Sequence, residues 1–224
     1  HYIVCGWGRV GVQVAKELEN EGVKFVVVDS DVKRLEKANA AGMLTLLGDC
    51  THHDILEKLG LDRAAGLIAT LGDDPDNLLV TLAARDFNKH LYIVSRANRE
   101  ENLERRKTAG ANRVAMPYQI GGYHMANMAI RPNVIDYMDI ISNKGKSDLE
   151  VEEMVVGESS KLAGHRLGQS LADANIKGAT VIAINGADGT SKVNPGGKEV
   201  VYPGDRLIIL GGKNDLNEAS ALIR

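Results

Sequence analysis

The sequence predicts an α/β fold: a doubly wound parallel sheet (Rossmann-like), then crossover helices, then a second, smaller α+β domain. Three observations predict it. Between residues 2 and 116, short apolar, β-rich runs alternate with amphipathic stretches, the pattern of βαβ units that build a parallel sheet. A glycine-rich loop, Gly6-Trp7-Gly8-Arg9-Val10-Gly11, directly follows the first run. At Pro117 the alternation stops, and a shorter, turn-rich pattern takes over after residue 147. With 224 residues the chain can bury a core in each of two modest domains. The expected division is 1–117, 118–147 and 148–224.

The expected strands of the first part are Tyr2–Cys5, Lys24–Val28, Met43–Leu47, Gly66–Thr70, Leu91–Ser95 and Arg113–Met116. Helices lie between them. Val10, Val14 and Leu18 recur every four residues, as one face of a helix requires. Leu78, Leu82 and Ala83 mark another helix, and Leu103 and Lys107 a more polar one. Six strands with five intervening helices suffice for a full doubly wound sheet. Tyr118–Ser142 predicts two Met-rich helices broken near Pro132, because proline cannot continue a helix. Asn143–Asp148 is polar and predicts a linker. Leu149–Val156 alternates as a strand does, Ser160–Ala174 predicts a helix and Thr180–Asn185 a strand. Ala187-Asp188-Gly189 predicts a turn. Gly196-Gly197 and Pro203-Gly204-Asp205 punctuate a hairpin whose last strand is Arg206–Leu210, and Leu216–Ile223 closes as a helix.

Composition excludes several classes of function. Lys plus Arg is 27 and Asp plus Glu is 30, a net charge of −3, without the concentrated basic face of a nucleic-acid binder. Aromatic residues are 4%, too few for stacking platforms on single strands. No apolar stretch approaches the roughly 18–20 residues that span a bilayer. The two cysteines, Cys5 and Cys50, make no disulfide framework and fit a reduced, cytosolic setting. The chain enters its first strand at once from His1, as a segment cut from a longer protein would.

The glycine loop carries the main chemical signal. In a strand–loop–helix setting its glycines serve a tight turn, close backbone approach to a diphosphate, and close helix–strand packing. The helix N-terminus adds free N–H groups and partial positive charge. Asp29 stands at the end of the second strand, 18 positions after Gly11, with Ser30 beside it. A carboxylate there can accept from both ribose hydroxyls and would repel a 2′-phosphate. The expected cofactor is therefore NAD(H), with ATP, ADP or AMP as alternatives. Arg9 either reaches the phosphates or is a solvated surface arginine. Trp7 either covers the ligand or packs between subunits.

Other strand ends join this site. Gly48-Asp49-Cys50-Thr51 follows the third strand and could line an adenine pocket, with Thr51 also the N-cap of a helix over His52–Leu59. Thr70, Asp73 and Asn77 follow the fourth strand and could meet the distal half of a dinucleotide. Asp73, Asp74 and Asp76 could instead bind a divalent cation or simply charge a helix N-terminus. Arg96, after the fifth strand, could reach a phosphate. A dehydrogenase would need a proton donor or acceptor near the nicotinamide. None of the six histidines sits in a catalytic motif, and zinc spacing is absent. A nucleotide here is thus a signal rather than a reactant, with an NAD-dependent dehydrogenase as the rival.

These motifs together resemble the RCK (KTN) domain, the cytosolic regulator of potassium channels and of Trk/Ktr-type potassium uptake systems. The resemblance rests on Gly-Trp-Gly-Arg-Val-Gly at 6–11, Val-Val-Asp at 27–29 and Gly-Asp-Cys-Thr at 48–51. It extends through Asp76-Asn77-Leu78, Ala-Gly-Ala at 109–111, and Met116-Pro117-Tyr118 leading into Gly121-Gly122. Ser160-Lys161-Leu162-Ala163-Gly164 and Pro203-Gly204-Asp205 resemble the family's small C-terminal domain. The resemblance implies a nucleotide at the carboxyl edge of the sheet, near a subunit interface. It implies dimers that pair through the crossover helices and assemble into an octameric ring at the cytoplasmic face of the cell membrane. The ring's partner would be a potassium-channel pore on the same chain, with a transporter membrane subunit as the alternative. Some family members bind calcium through an aspartate after the third strand and glutamates after the fifth. Asp49 matches the former, but Ser95, Arg96 and Ala97 replace the latter.

Overall fold

The computed structural model describes residues 1–142, 149–168 and 178–223. The chain divides into two compact units, His1–Met125 and Ala126–Arg224. In the first unit, β1 (Tyr2–Cys5), β2 (Phe25–Asp29), β3 (Thr45–Leu47), β4 (Gly66–Ala69), β5 (Tyr92–Arg96) and β6 (Arg113–Ala115) form one sheet in the order β3-β2-β1-β4-β5-β6. Every pairing is parallel. From β1 the chain winds to one edge, then returns to β4 and winds to the other. The connections leaving β1 and β4 therefore diverge, and a crevice opens at that switch point.

The helices of this unit are α1 (Arg9–Asn20), α2 (Val32–Ala40), α3 (His53–Lys58), α4 (Asp74–Phe87) and α5 (Leu103–Thr108). Side chains alternate across the sheet. Ile3 and Cys5 join Val26, Val28, Leu67 and Ala69 on one face, with Leu56 of α3 and Val80 and Ala84 of α4. Val4 and Val27 point the other way, against Ala15 of α1 and Leu35 and Ala38 of α2. Burial of both faces explains why the strands are continuous apolar runs.

Two local expectations are corrected. The third strand starts at Thr45 rather than Met43, because the Met43 N–H is spent on the Ala38 carbonyl at the end of α2. Helix α3 begins after His52, not Thr51. The cap position therefore falls to His52 rather than Thr51, and the Thr51 N–H and hydroxyl both donate to Asp49 Oδ1, at 2.9 and 2.7 Å.

Helices α6 (Pro117–Ile130) and α7 (Pro132–Ser142) follow, interrupted at Arg131 ahead of Pro132 as proline predicts. In the second unit, β7 (Leu149–Val155), β8 (Ala179–Asn185), β9 (Ser191–Val193) and β10 (Arg206–Gly212) form an antiparallel sheet in the order β7-β10-β8-β9. Helix α8 (Lys213–Ile223) buries Leu216, Ala219 and Ile223 with Leu207, Ile209 and Val181. The turn before β10 has Gly204 at φ +86° and closes on a bond from the Asp205 N–H to the Tyr202 carbonyl, 3.1 Å, so Pro203-Gly204 is the turn its composition predicts. The strand after it is no hairpin partner of the preceding residues, however: β10 lies between β7 and β8. Ser160–Arg166 is also not helical. Its backbone is drawn into bridges, Ala163 with Val201 and Arg166 with Val200, and Ser160 Oγ donates to the Leu222 carbonyl. Of that expected helix only Leu167 and Gly168 are helical among the described residues; its remainder, 169–174, and the expected linker at 143–148 lie outside them.

Candidate functional site

Gly6 turns the chain out of β1 with φ +101°, a conformation that disfavours any L side chain. A Cβ at Gly11 would fall on the Gly6 carbonyl oxygen, so that glycine lets α1 lie directly against the loop. At Gly8 a Cβ would meet nothing within 4 Å; the space over it is open. Gly8 caps α1 with no side-chain hydrogen bond, and the first turn holds no acidic residue. The leading N–H groups of α1 thus have no side-chain acceptor, and a helix start in that state favours an anion.

Asp29 is 4% exposed. Its Oδ2 accepts from the Trp7 N–H at 2.6 Å and its Oδ1 from the Asp31 N–H at 2.9 Å, while Arg34 Nη1 stands 3.6 Å from Oδ2. The carboxylate is thereby fixed beside the glycine loop, with lone pairs to spare for further donors. Trp7 is 8% exposed and packs with Val4, Ala15, Val27 and Leu35 inside its own unit, while its backbone binds Asp29.

An open crevice of about 1040 Å³ runs along these strand ends. Gly6, Trp7, Gly8, Arg9, Val10, Asp29, Ser30, Asp49, Cys50, Thr70 and Arg96 line it. Four expected residues do not. Gly11 lies behind the loop. Thr51 is tied to Asp49. Asp73 caps α4, accepting from the Asp76 N–H at 3.0 Å. Asn77 is fully buried and staples the loop after β4, accepting from the Leu71 N–H and donating to the Leu71 and Asp73 carbonyls. Thr70 does comparable work on the other side, its Oγ donating to the Cys5 and Gly6 carbonyls at 2.8 and 3.1 Å.

The crevice is also lined by Leu71, Gly72, Asp76, Pro117 and Tyr118, and by Arg34 and Lys37, which the sequence did not single out. Arg34 and Lys37 sit one turn apart on α2, a spacing visible in the sequence once the helix is placed beside Asp29. Tyr118 had the signal of following Met-Pro at the end of the sheet.

Charges along the rim are unevenly held. Thr51, through its N–H and hydroxyl, keeps the Asp49 carboxyl below its usual range. Burial, then the neighbouring Asp73 and Asp49, push Asp76 up. Hydrogen bonding to Cys50 and burial push the Cys5 thiol well up; both thiols are free. Among the described residues no group of three or more His, Cys, Asp or Glu is placed to hold a metal ion. Asp74 instead pairs with Arg106 at 2.8 Å. At the end of β5, Ser95 is buried against Thr81 and Arg96 turns over the Tyr118 ring.

Residues 2–117 match the family model for the TrkA-N domain, and residues 151–224 the one for the TrkA-C domain. The chain belongs to the TrkA-N/TrkA-C family, the RCK domains. Its relatives include two potassium channel proteins of Methanocaldococcus jannaschii. It is 35% identical to the probable potassium channel protein 2, covering 100% of this chain and 67% of that one. It is 34% identical to potassium channel protein 1, covering 97% and 65%. The chain thus spans about two thirds of each. Among solved RCK structures, the GsuK channel bound to NAD is similar over 99% of this chain and 38% of its own, at 26% identity and a TM-score of 0.53. GsuK bound to ADP is similar over 57% and 33%, at 34% identity and a TM-score of 0.51. Among the described residues of this RCK chain, no helix is long and apolar enough to cross a membrane.

Proposed function

We propose that this chain is the ligand-sensing domain of a potassium channel, taking an adenine nucleotide, NAD(H) or ADP, into the crevice and coupling its binding to a pore. One observation carries the reading. The uncapped start of α1, open over Gly8, stands in the same crevice as the buried Asp29 carboxylate. One end suits a diphosphate and the other a ribose, as the GsuK structures with NAD and ADP lead one to expect.

The roles follow from position. Gly6, Gly8 and the N–H groups of α1 would hold the diphosphate. Asp29 would accept from ribose hydroxyls. Ser30, Asp49 and Cys50 would flank the base, Thr70 and Leu71 the distal half of a dinucleotide, and Arg96 would reach a phosphate. NAD would bring a hydride-carrying nicotinamide, but we read it as a signal. Residues 118–147 would link the sensing domain 1–117 to 148–224 and pair with a second copy in a ring of eight, beneath a pore supplied by the same chain. A ligand can shift such a ring only through different affinities for its open and closed forms.

Asp29→Ala tests the pocket by calorimetry. Loss of hydrogen bonds to a charged acceptor predicts about 10- to 100-fold weaker NAD and ADP binding. Unchanged affinity would remove the pocket as assigned. Nucleotide-dependent potassium flux through the full-length protein in liposomes tests the coupling, and flux indifferent to NAD and ADP would count against it.

A further inference from the structure

Two guanidinium groups of the crevice converge on a side chain that has no evident part in binding a nucleotide. Arg9, the first residue of α1, donates from Nη2 to the Tyr118 hydroxyl at 3.2 Å. Arg96, the last residue of β5, lies with Cζ 5.5 Å from the centroid of the Tyr118 ring. Arg96 is steadied further by its Nε bond to Asn98 Oδ1 and its Nη1 bond to the Leu71 carbonyl. The carbonyl of Arg96 accepts from buried Arg106 at 2.6 Å.

We infer that Tyr118 is a positioning residue that gathers Arg9 and Arg96 into a two-guanidinium clamp for the phosphates and makes the start of α6 part of it. A phenol can do this where a carboxylate could not. Asp or Glu at 118 would cancel the charge it orients; the neutral hydroxyl takes one of Arg9's five donors and leaves the cation whole. The ring does the same for Arg96 through its quadrupole. Holding both long side chains in place removes rotamer freedom that a ligand would otherwise have to quench on binding. Tyr118 is the second residue of α6, after a proline suited to a first helical turn. An anion that draws on Arg9 and Arg96 therefore draws on the first turn of α6. All these groups belong to the unit His1–Met125.

The inference rests on the nucleotide reading, and the test separates the two. Calorimetry compares ADP with adenosine on the wild-type chain, Tyr118→Phe and Tyr118→Ala. Tyr118→Phe, which keeps the ring over Arg96, should weaken ADP about two- to five-fold. Tyr118→Ala, which loses both contacts, should weaken it further. Adenosine, without phosphate, should bind all three alike. ADP should also slow amide exchange in residues 118–121 of the wild-type chain, and adenosine should not. Equal weakening of ADP and adenosine, unchanged ADP affinity in both variants, or amide exchange indifferent to ADP overturns the role of Tyr118 while the pocket stands. A wild-type chain that binds no ADP overturns the pocket reading, and the clamp with it.

Discussion

Arg106 is 1% exposed, and its cation is met by Asp74 Oδ1 at 2.8 Å and the Asp74 and Arg96 carbonyls at 2.9 and 2.6 Å. These contacts pin the start of α4 to the end of β5, under the crevice. Burial alone would raise the Asp74 carboxyl. Hydrogen bonds from the Asn98 N–H and Asn102, with the charge of Arg106, outweigh it and leave the group below its ordinary 3.8. A carboxyl depressed in the folded state stabilises the protein fully above its unfolded-state value. That stability is lost as the pH falls through the lower, folded-state value. Asp49, Asp86 and Asp188 are depressed too, so total acid sensitivity identifies none of them, whereas a difference does. Asp74→Asn should cost up to about 3 kcal/mol at pH 7, because a buried cation loses its counter-charge. The melting-temperature gap to wild type should narrow as the pH drops below about 4. A gap constant from pH 7 to pH 3 would show that this pair contributes nothing through charge.

At the scale of the element, the glycine loop separates folding from binding. Gly11→Ala must displace the Gly6 carbonyl or lift α1, and should cost about 1–3 kcal/mol. Gly8→Ala projects into open space and should cost under about 1 kcal/mol, as an N-cap change does, yet weaken ADP at least as much as Asp29→Ala. Thermal melts and calorimetry on the pair check this, and equal ADP affinity for wild type and Gly8→Ala would mean that no phosphate approaches Gly8. The loop was legible in the sequence because its chemistry is local: strand, glycines and helix are contiguous. The parallel strands were legible because burial of both faces leaves uninterrupted apolar runs. Arg34 and Lys37 were not legible, since only the packing of α2 beside the loop brings them there, and Tyr118 stood out in the sequence without its place at the crevice. Thr51 looked like a cap because it offers a side-chain acceptor just ahead of the helix, but the helix starts one residue later and His52 holds the cap position. Ser160–Arg166 was expected to be helical, while the backbone there is committed to bridges with Val200 and Val201, distant in sequence.

At the scale of the whole molecule, the helices after the sheet leave apolar side chains in solvent. Ile120, Tyr123, Met125 and Ile130 of α6 and Val134, Tyr137 and Met138 of α7 are all at least half exposed. A monomer rarely keeps so many large apolar side chains uncovered along successive helices, and flexible methionines suit an interface that must repack. If a second copy covers it, light scattering on the purified chain should give at least twice the 24.1 kDa of one copy. Met125→Lys with Ile130→Lys should bring the mass down to a single copy with melting little changed. The sensing reading then makes a stricter demand. Linkage requires that any factor by which ADP alters association equal the factor by which association alters ADP affinity. Comparing ADP affinity in the associated wild type and the monomeric variant measures that factor. A factor of about 5 to 150 is the usual range for coupled sites. A factor of one would mean that what enters the crevice never reaches the pairing helices, and that no pore could be worked through them.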